Sequence, residues 1–340
     1  MRLRFVVPDL ARPTGGNRYD QALSQALLSA GVDVDLIPVE GRWPVGDPGA
    51  RDRLAAALCA ELVLVDGLLA CGAPDAVRQA TAAGARVHVL VHLPLALESG
   101  LDARTAASRD ALERQALAAA TGTVATSRWC AEQVRSRHGR AAVAVAQPGA
   151  DPAAVAAGSD PPKLLHLAAL TPLKDQLSVV AGLRLLTDLR WTAELTGPRD
   201  VDPGYAEKVR AAAGELGTRV RLTGAKTGPE LEAAFAGTDL LLLPSRAETW
   251  GLVVTEALAR GIPALVSEGT GAVEALGLAP SGRPGATVPS GDPPALAAAI
   301  ARLLGPDRDR ARRAALERRS ALRTWADTAQ DVLAAVGNKG

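Results

Sequence analysis

Cysteine is nearly absent from this 340-residue chain, which has only Cys59, Cys71 and Cys130 and no CxxC pair. An odd count without paired spacing fits a reducing compartment better than a disulfide framework or a zinc site. Aromatic residues are also scarce, with five Trp, two Tyr and two Phe, too few to stack a run of bases. Net charge is only +1, which removes the global electrostatic case for a nucleic-acid partner. No run reaches the roughly 20 apolar residues of a membrane span, and the apolar stretch in "MRLRFVVPDL" is too short for a signal peptide. The expectation is a cytoplasmic protein. No clustered Asp or His set along the chain suits a divalent ion. Lysine is the last shortage, five against 33 Arg, so a lysine in a loop is less easily dismissed as surface filler.

What is present is material for a core: 48% apolar and 22% charged residues, at a length that allows two domains. Strand-like runs alternate with helix-like ones. The first series is "LRFVV", "VDVDLIPV", "ELVLVD", "ARVHVLVH", "TGTVATS" and "AAVAVAQ". A stretch with four prolines, Gln147 to Pro162, interrupts it and reads as a linker. The second series is "KLLHLAAL", "WTAELTG", "RVRLTG", "DLLLLP", "PALV" and "GATVP". Two βα series predict an α/β protein of two doubly wound, Rossmann-like domains, with ligand bound between the carboxyl edges of their sheets. The expected boundaries are 1–150, a linker at 151–162, and 163–320, with a helix at about 320–336 packing back on the first domain. Residues Pro306 to Val336 read as helical, with Trp325 as the one large apolar anchor.

The segment "PSRAETWGLVVTEALARGIPALV" carries two acids, Glu248 and Glu256, with seven residues between them. It follows the apolar strand Leu240 to Leu243; Gly251 sits where a helix should begin, and helical periodicity runs from Leu252 until Gly261-Ile262-Pro263 stops it. Glu248 then lies in a strand-to-helix loop, where it either accepts from sugar hydroxyls or merely caps the helix. Glu256 lies within the helix, on a ribose diol or in solvent. Thr14-Gly15-Gly16-Asn17 lets backbone approach a phosphate, or is a plain turn; it is not a GxGxxG fingerprint. Lys174, after "LAALTP", is either a diphosphate ligand or a solvated lysine. His92 ends a strand at the carboxyl edge, whereas His88 and His166 sit further inside strands as core residues. Arg128, Arg135, Arg137 and Arg140 form a basic helix, which is a solvated face or an anionic or membrane-facing surface.

Together these segments resemble the family-4 retaining glycosyltransferases of the GT-B fold over nearly the whole chain. The match is strongest at Glu248 to Glu256, and "TGGNRYDQALSQALLSAGVDV", "TSRW", "QPGAD", "LTPLKDQLSVVAGL" and "GATVPSGDPPALAAAIARLL" support it. The resemblance implies a nucleoside-diphosphate sugar held mainly by the C-terminal domain, an acceptor of unassigned type on the N-terminal one, and no metal or other cofactor. It implies Lys174 on the diphosphate, Glu256 on the ribose, and Glu248 with the N–H groups of Trp250, Gly251 and Leu252 on the sugar. Gly16, flanked by Gly15 and Asn17, would approach the phosphates, and His92 the sugar, so that His92, Lys174 and Glu248 form the catalytic set. One departure stands out. The glycine-arginine pair usual before the lysine reads Ala168-Ala169 here, so another cation is expected near the diphosphate: Arg246 first, then Lys226, with Arg199 as a third. The alternatives are a catalytically silent homologue that binds a nucleotide sugar or partner enzyme, or another GT-B enzyme such as a sugar-nucleotide epimerase.

Overall fold

The structure is a computed structural model that describes residues 1–10, 14–98 and 100–337. It divides into two compact units, one of Met1–Gly149 together with the segment from Arg323, the other of Ala150–Leu322.

The first unit runs β1 (Arg2–Asp9), α1 (Gly15–Ser29), β2 (Asp33–Glu40), α2 (Pro48–Ala57), β3 (Leu62–Asp66), α3 (Gly67–Gly72), α4 (Pro74–Ala82), β4 (Arg86–Val91), α5 (Ala103–Ala119), β5 (Gly122–Ala125), α6 (Arg128–His138) and β6 (Ala144–Val145). The strands form one six-stranded sheet in the order β2-β1-β3-β4-β5-β6, parallel throughout. Apolar side chains cover both faces, which is why the strands read as near-continuous hydrophobic runs. Phe5, Leu64 and Leu90 lie in one cluster and Val6, Val63 and Val89 in the other.

The second unit runs β7 (Lys163–Leu167), α7 (Gln176–Arg184), β8 (Thr192–Thr196), α8 (Pro203–Gly214), β9 (Val220–Thr223), α9 (Gly228–Ala236), β10 (Leu240–Leu243), α10 (Leu252–Ala259), β11 (Ala264–Ser267), α11 (Ala272–Leu276), β12 (Gly285–Val288), α12 (Pro293–Leu304) and α13 (Arg308–Arg319). Its sheet has the order β12-β11-β10-β7-β8-β9 and is also parallel. The chain winds outward in both directions from the neighbouring pair β7 and β10. The loops that leave these two strands therefore diverge at a topological switch point, the place where open α/β sheets take ligands.

The C-terminal stretch is helical in two pieces. After α13 the chain turns through Ser320–Thr324 before α14 (Trp325–Gly337). In α14, Ala329, Val332 and Val336 join the core of the first unit, and Thr328 Oγ1 donates to the carbonyl of Gln147 at 2.7 Å. Gly149 lets the chain pass close to this helix start, because a Cβ there would meet the Trp325 nitrogen at 2.2 Å. Trp325 is only half-buried and stands edge-on to Tyr19, 5.5 Å between ring centroids. No described helix is long and apolar enough to cross a membrane.

Candidate functional site

The second unit concentrates its reactive side chains in the loops after β7 and β10. Three contacts stitch these loops together. The Arg246 amide donates to the Leu173 carbonyl at 2.8 Å, the Arg246 guanidinium lies 3.3 Å from the Asp175 carboxylate, and Lys174 Nζ donates to Glu248 Oε2 at 2.5 Å. Lys174 sits in a tight turn, Pro172–Lys174, that ends at Asp175 with φ of 53°. Few residues other than glycine take such a conformation, and Asp is one of them. Behind the turn, His166 Nε2 donates to the Lys174 carbonyl at 3.1 Å. Burial lowers the His166 pKa to about 4, so the ring is neutral near pH 7. As expected, His166 is a core residue, and it also braces the lysine turn.

Glu248 is held from both ends. Ser245 Oγ donates to its carboxylate at 3.3 Å, and its own carbonyl accepts from the Gly271 amide at 2.7 Å. Gly271, ahead of α11, has ordinary helical dihedrals, yet a Cβ on it would lie 1.8 Å from the Thr249 carbonyl oxygen. It is a glycine because the Glu248 loop runs over it, a role that "EGTGAVE" does not advertise. The helix begins at Leu252, where the periodicity puts it, since Gly251 has φ of 79° and cannot itself start a right-handed helix. Among the described residues no side chain caps this N-terminus, so its orphan N–H groups and positive dipole end remain available to an anion or hydroxyl. Trp250 is buried in the core beside α10, which leaves its backbone rather than its indole to face a ligand. Glu256 is half-buried on α10.

The cations near Ala169 rank differently from the expectation. Lys226 is tied to Glu194, which Lys163, Thr196 and Thr223 also hold, and these donors keep Glu194 well below the usual carboxylate range despite its burial. Arg246 is paired with Asp175 but 57% exposed. Arg199 is exposed and makes no ion pair or hydrogen bond among the described residues. It follows Gly197-Pro198, which packs directly on the Ala169 segment. Leu170 N–H donates to the Pro198 carbonyl at 2.9 Å, and a Cβ on Gly197 would meet the Ala168 oxygen at 2.0 Å.

In the first unit, Thr14 and Asn17 form a reciprocal capping box at the start of α1. The Asn17 side chain is therefore committed to the cap, while none of the described residues crowds Gly15. Gly16 rests on His92, since a Cβ added to it would fall 3.2 Å from His92 Cδ2. His92 Nε2 lies 2.8 Å from Asp20 Oδ1 and 3.4 Å from Asp66 Oδ2. Neither aspartate is visible as a site residue in sequence, because only the sheet order brings α1, β3 and β4 together. The chain shows no clustered Asp and His set by spacing, yet the fold makes two among the described residues. Ligand-type atoms of Asp20, Asp66 and His92, and of Asp110, Glu113 and His138, converge within 4.8 Å. The second set is a structural cluster around the buried Glu113. His138 lies 2.9 Å from Glu113, which also accepts from the Leu95 amide at 3.3 Å.

Three of the four arginines of the basic stretch reach neighbouring segments. Arg135 donates to the Val143 carbonyl at 3.1 Å, Arg137 to Asp110 at 3.3 Å, and Arg140, which lies beyond the end of α6, to the Ala120 carbonyl at 3.0 Å. These three side chains tie the stretch to its own unit, while Arg128, the fourth arginine, is exposed.

Solved structures share this architecture along the whole chain. Sucrose-phosphate synthase from Thermosynechococcus elongatus superposes with a TM-score of 0.79 at 20% identity, covering 97% of each chain. The fold is GT-B. Anabaena HepE, solved with UDP and glucose, gives 0.77 at 16% identity over 98% of this chain and 99% of that one. A lipopolysaccharide outer core galactosyltransferase, WaaB, gives 0.71 at 15% identity over 100% of both. Residues 161–305 match the family described as Glycosyl transferases group 1, a match that lies within the second unit. No curated protein matches the sequence.

Proposed function

We propose that the protein is a metal-independent, retaining glycosyltransferase of family-4 type whose donor is a nucleoside-diphosphate sugar. The observation that carries this reading is the Lys174–Glu248 contact of 2.5 Å, made by the two switch-point loops beside the uncapped start of α10. A diphosphate needs cations and N–H donors, and a sugar needs carboxylate acceptors. Both are provided here within one short stretch of the sheet edge. Lys174 meets the diphosphate, Glu248 and the N–H groups of Trp250 to Leu252 meet the sugar, and Glu256 meets the ribose. HepE was solved with UDP and with UDP-glucose, which makes uridine donors the first to try. Retention and independence from metal rest on the resemblance. Three free thiols are consistent with a reducing, cytoplasmic setting.

Mass-spectrometric turnover of UDP-, GDP-, ADP- and TDP-sugars with candidate acceptors, with and without EDTA, tests the reading, and NMR of the product anomer tests retention. Activity lost in EDTA and restored by magnesium would refute metal independence. The specific observation favouring a silent nucleotide-sugar binder is the absence of a cation at Ala168-Ala169; binding without turnover of any donor would establish it.

A further inference from the structure

Lys174, the cation assigned to the diphosphate, is followed directly by an acid. Asp175 is almost wholly buried and stands at the head of α7, where an aspartate ordinarily accepts from the N–H groups of the first turn. With φ of 53° it makes no such bond. The polar groups beside it are engaged elsewhere. The Tyr205 hydroxyl accepts from the Leu177 N–H at 3.2 Å, and Gln176 Nε2 donates to the Ala169 carbonyl at 2.9 Å. Among the described residues the Asp175 carboxylate has one side-chain donor, Arg246, whose Nη2 lies 3.3 Å from each oxygen. Gly291, in the loop after β12, borders the pair: a Cβ there would lie 3.7 Å from Arg246 Nη2 and 3.9 Å from Asp175 Oδ2. Three loops of the second unit thus meet at this ion pair.

A buried carboxylate next to the diphosphate lysine has two consequences. Unpaired, it would be costly in itself. It would also repel a diphosphate, because charges at a protein edge interact more strongly than in water. Arg246 answers both. Lys174, Arg246, Asp175 and Glu248 are two cations and two acids, so the group is balanced with Arg246 in place and one charge negative without it. The arginine is also badly placed to serve as the cation missing at Ala169, since its Nη2 is engaged by Asp175 and its amide holds the Leu173 carbonyl at 2.8 Å. We propose that Arg246 is a positioning residue that acts through Asp175: it neutralises and fixes the acid beside Lys174, and does not itself bind the diphosphate. The proposal rests on the donor reading above, in which Lys174 meets the diphosphate. It gives Arg246 a different part from the substitute cation that the sequence suggests.

The test is a double-mutant cycle on the full chain. Calorimetry with UDP, GDP, ADP and TDP first finds the diphosphate that wild type binds most tightly, and that nucleotide is the probe throughout. Arg246→Ala should weaken it roughly tenfold, the scale of one uncompensated neighbouring charge. Asp175→Asn keeps the side-chain size and tolerates the left-handed backbone, and should bind at least as tightly as wild type. The double variant Asp175→Asn/Arg246→Ala should return to within about twofold of Asp175→Asn, because no acid is left to neutralise. If Asp175→Asn does not fold, Asp175→Gly replaces it in the cycle, since glycine takes positive φ freely. A double variant as weak as Arg246→Ala would mean that the arginine touches the diphosphate directly, which overturns the proposal. Unchanged affinity in Arg246→Ala overturns it as well, even with a lower thermal midpoint, since the pair would then only brace the loops. Kinetics give a second readout: Arg246→Ala should raise the KM of the nucleotide sugar more than it lowers kcat, and Asp175→Asn should reverse that rise. A KM that stays raised in the double variant would also refute the role. Wild type that binds none of the four diphosphates overturns the donor reading and this proposal together, whereas binding with additive variants overturns this proposal alone.

Discussion

Replacing Glu248 by Gln should make free UDP bind more tightly while turnover collapses. Lys174 is engaged with Glu248 at 2.5 Å, so a diphosphate must draw the lysine away from a carboxylate. The pair is neither open to water nor sealed from it, with side chains 24% and 13% exposed. Exposed pairs are worth about 0–1 kcal/mol, and removing one partner of a buried pair costs about 3–5 kcal/mol. An intermediate value of about 1–2 kcal/mol, or roughly 5- to 30-fold, is the expected gain in UDP affinity when Gln leaves the lysine free. Turnover should move the other way. Loss of a charge-assisted hydrogen bond of about 1.5–3 kcal/mol to the transferring sugar corresponds to roughly 10- to 150-fold in rate. Isothermal titration calorimetry with UDP, repeated with ADP and GDP, and steady-state kinetics on the same preparations measure both. UDP affinity that is unchanged or weaker in Glu248→Gln would refute the exchange of Lys174 between the two partners.

Other outcomes follow from neighbouring contacts. Gly271→Ala should lower turnover at least tenfold and destabilise by roughly 1–3 kcal/mol, because the new Cβ would lie 1.8 Å from the Thr249 oxygen; unchanged kcat and thermal midpoint would refute this. Arg199→Ala should cost turnover roughly tenfold, with partial rescue by Ala169→Arg, whereas Lys226→Ala should cost little because Lys226 is committed to Glu194. Equal kinetics for wild type and Arg199→Ala would remove Arg199 as the substitute cation. The acid side of stability should depend on His166. Its folded pKa of about 4 lies below the ordinary 6.5, so protons bind the unfolded chain first and stability is lost as pH falls from 6.5 towards 4. By pH 5 the loss should reach about 2 kcal/mol, measurable by urea unfolding, and His166→Gln should show a correspondingly flatter dependence; parallel curves would refute it.

The strands were legible because a parallel sheet covered on both faces needs contiguous apolar runs, and "DLLLLP" or "ELVLVD" admit little else. Boundaries were less so. The helix start at Leu252 follows from the periodicity, but nothing in "AETWGLVV" reveals that Gly251 adopts φ of 79°. Pro306 to Val336 reads as helical without a break, but the chain leaves the helix at Ser320–Thr324. Long-range pairings were hidden for a topological reason. Asp20 and His92 are 72 residues apart and Lys174 and Glu248 are 74 apart, and only the order of strands in each sheet makes them neighbours. Contacts of the α6 arginines were hidden by their length, since a side chain that looks solvated by helical spacing can reach a backbone oxygen of the next loop, as Arg135 does at Val143.

The Lys174–Glu248 pair also bears on how a donor sugar is told from its own leaving group. When a diphosphate takes the lysine, Glu248 keeps, among the described residues, only Ser245 Oγ, 3.3 Å away, as a side-chain donor. A half-buried carboxylate stripped of its cation is costly unless new donors arrive, about 1–3 kcal/mol for an unmet buried polar group. Free UDP brings none to that position, whereas a sugar brings hydroxyl groups that donate to a carboxylate. The same contact that opposes UDP is then satisfied by UDP-sugar, so the protein favours the substrate over the spent product without a separate specificity element. This preference depends on the negative charge of residue 248, so in Glu248→Gln the ratio of UDP-glucose to UDP affinity should fall towards one. A ratio that persists in the variant would mean that discrimination lies with the backbone N–H groups of Trp250 to Leu252 instead.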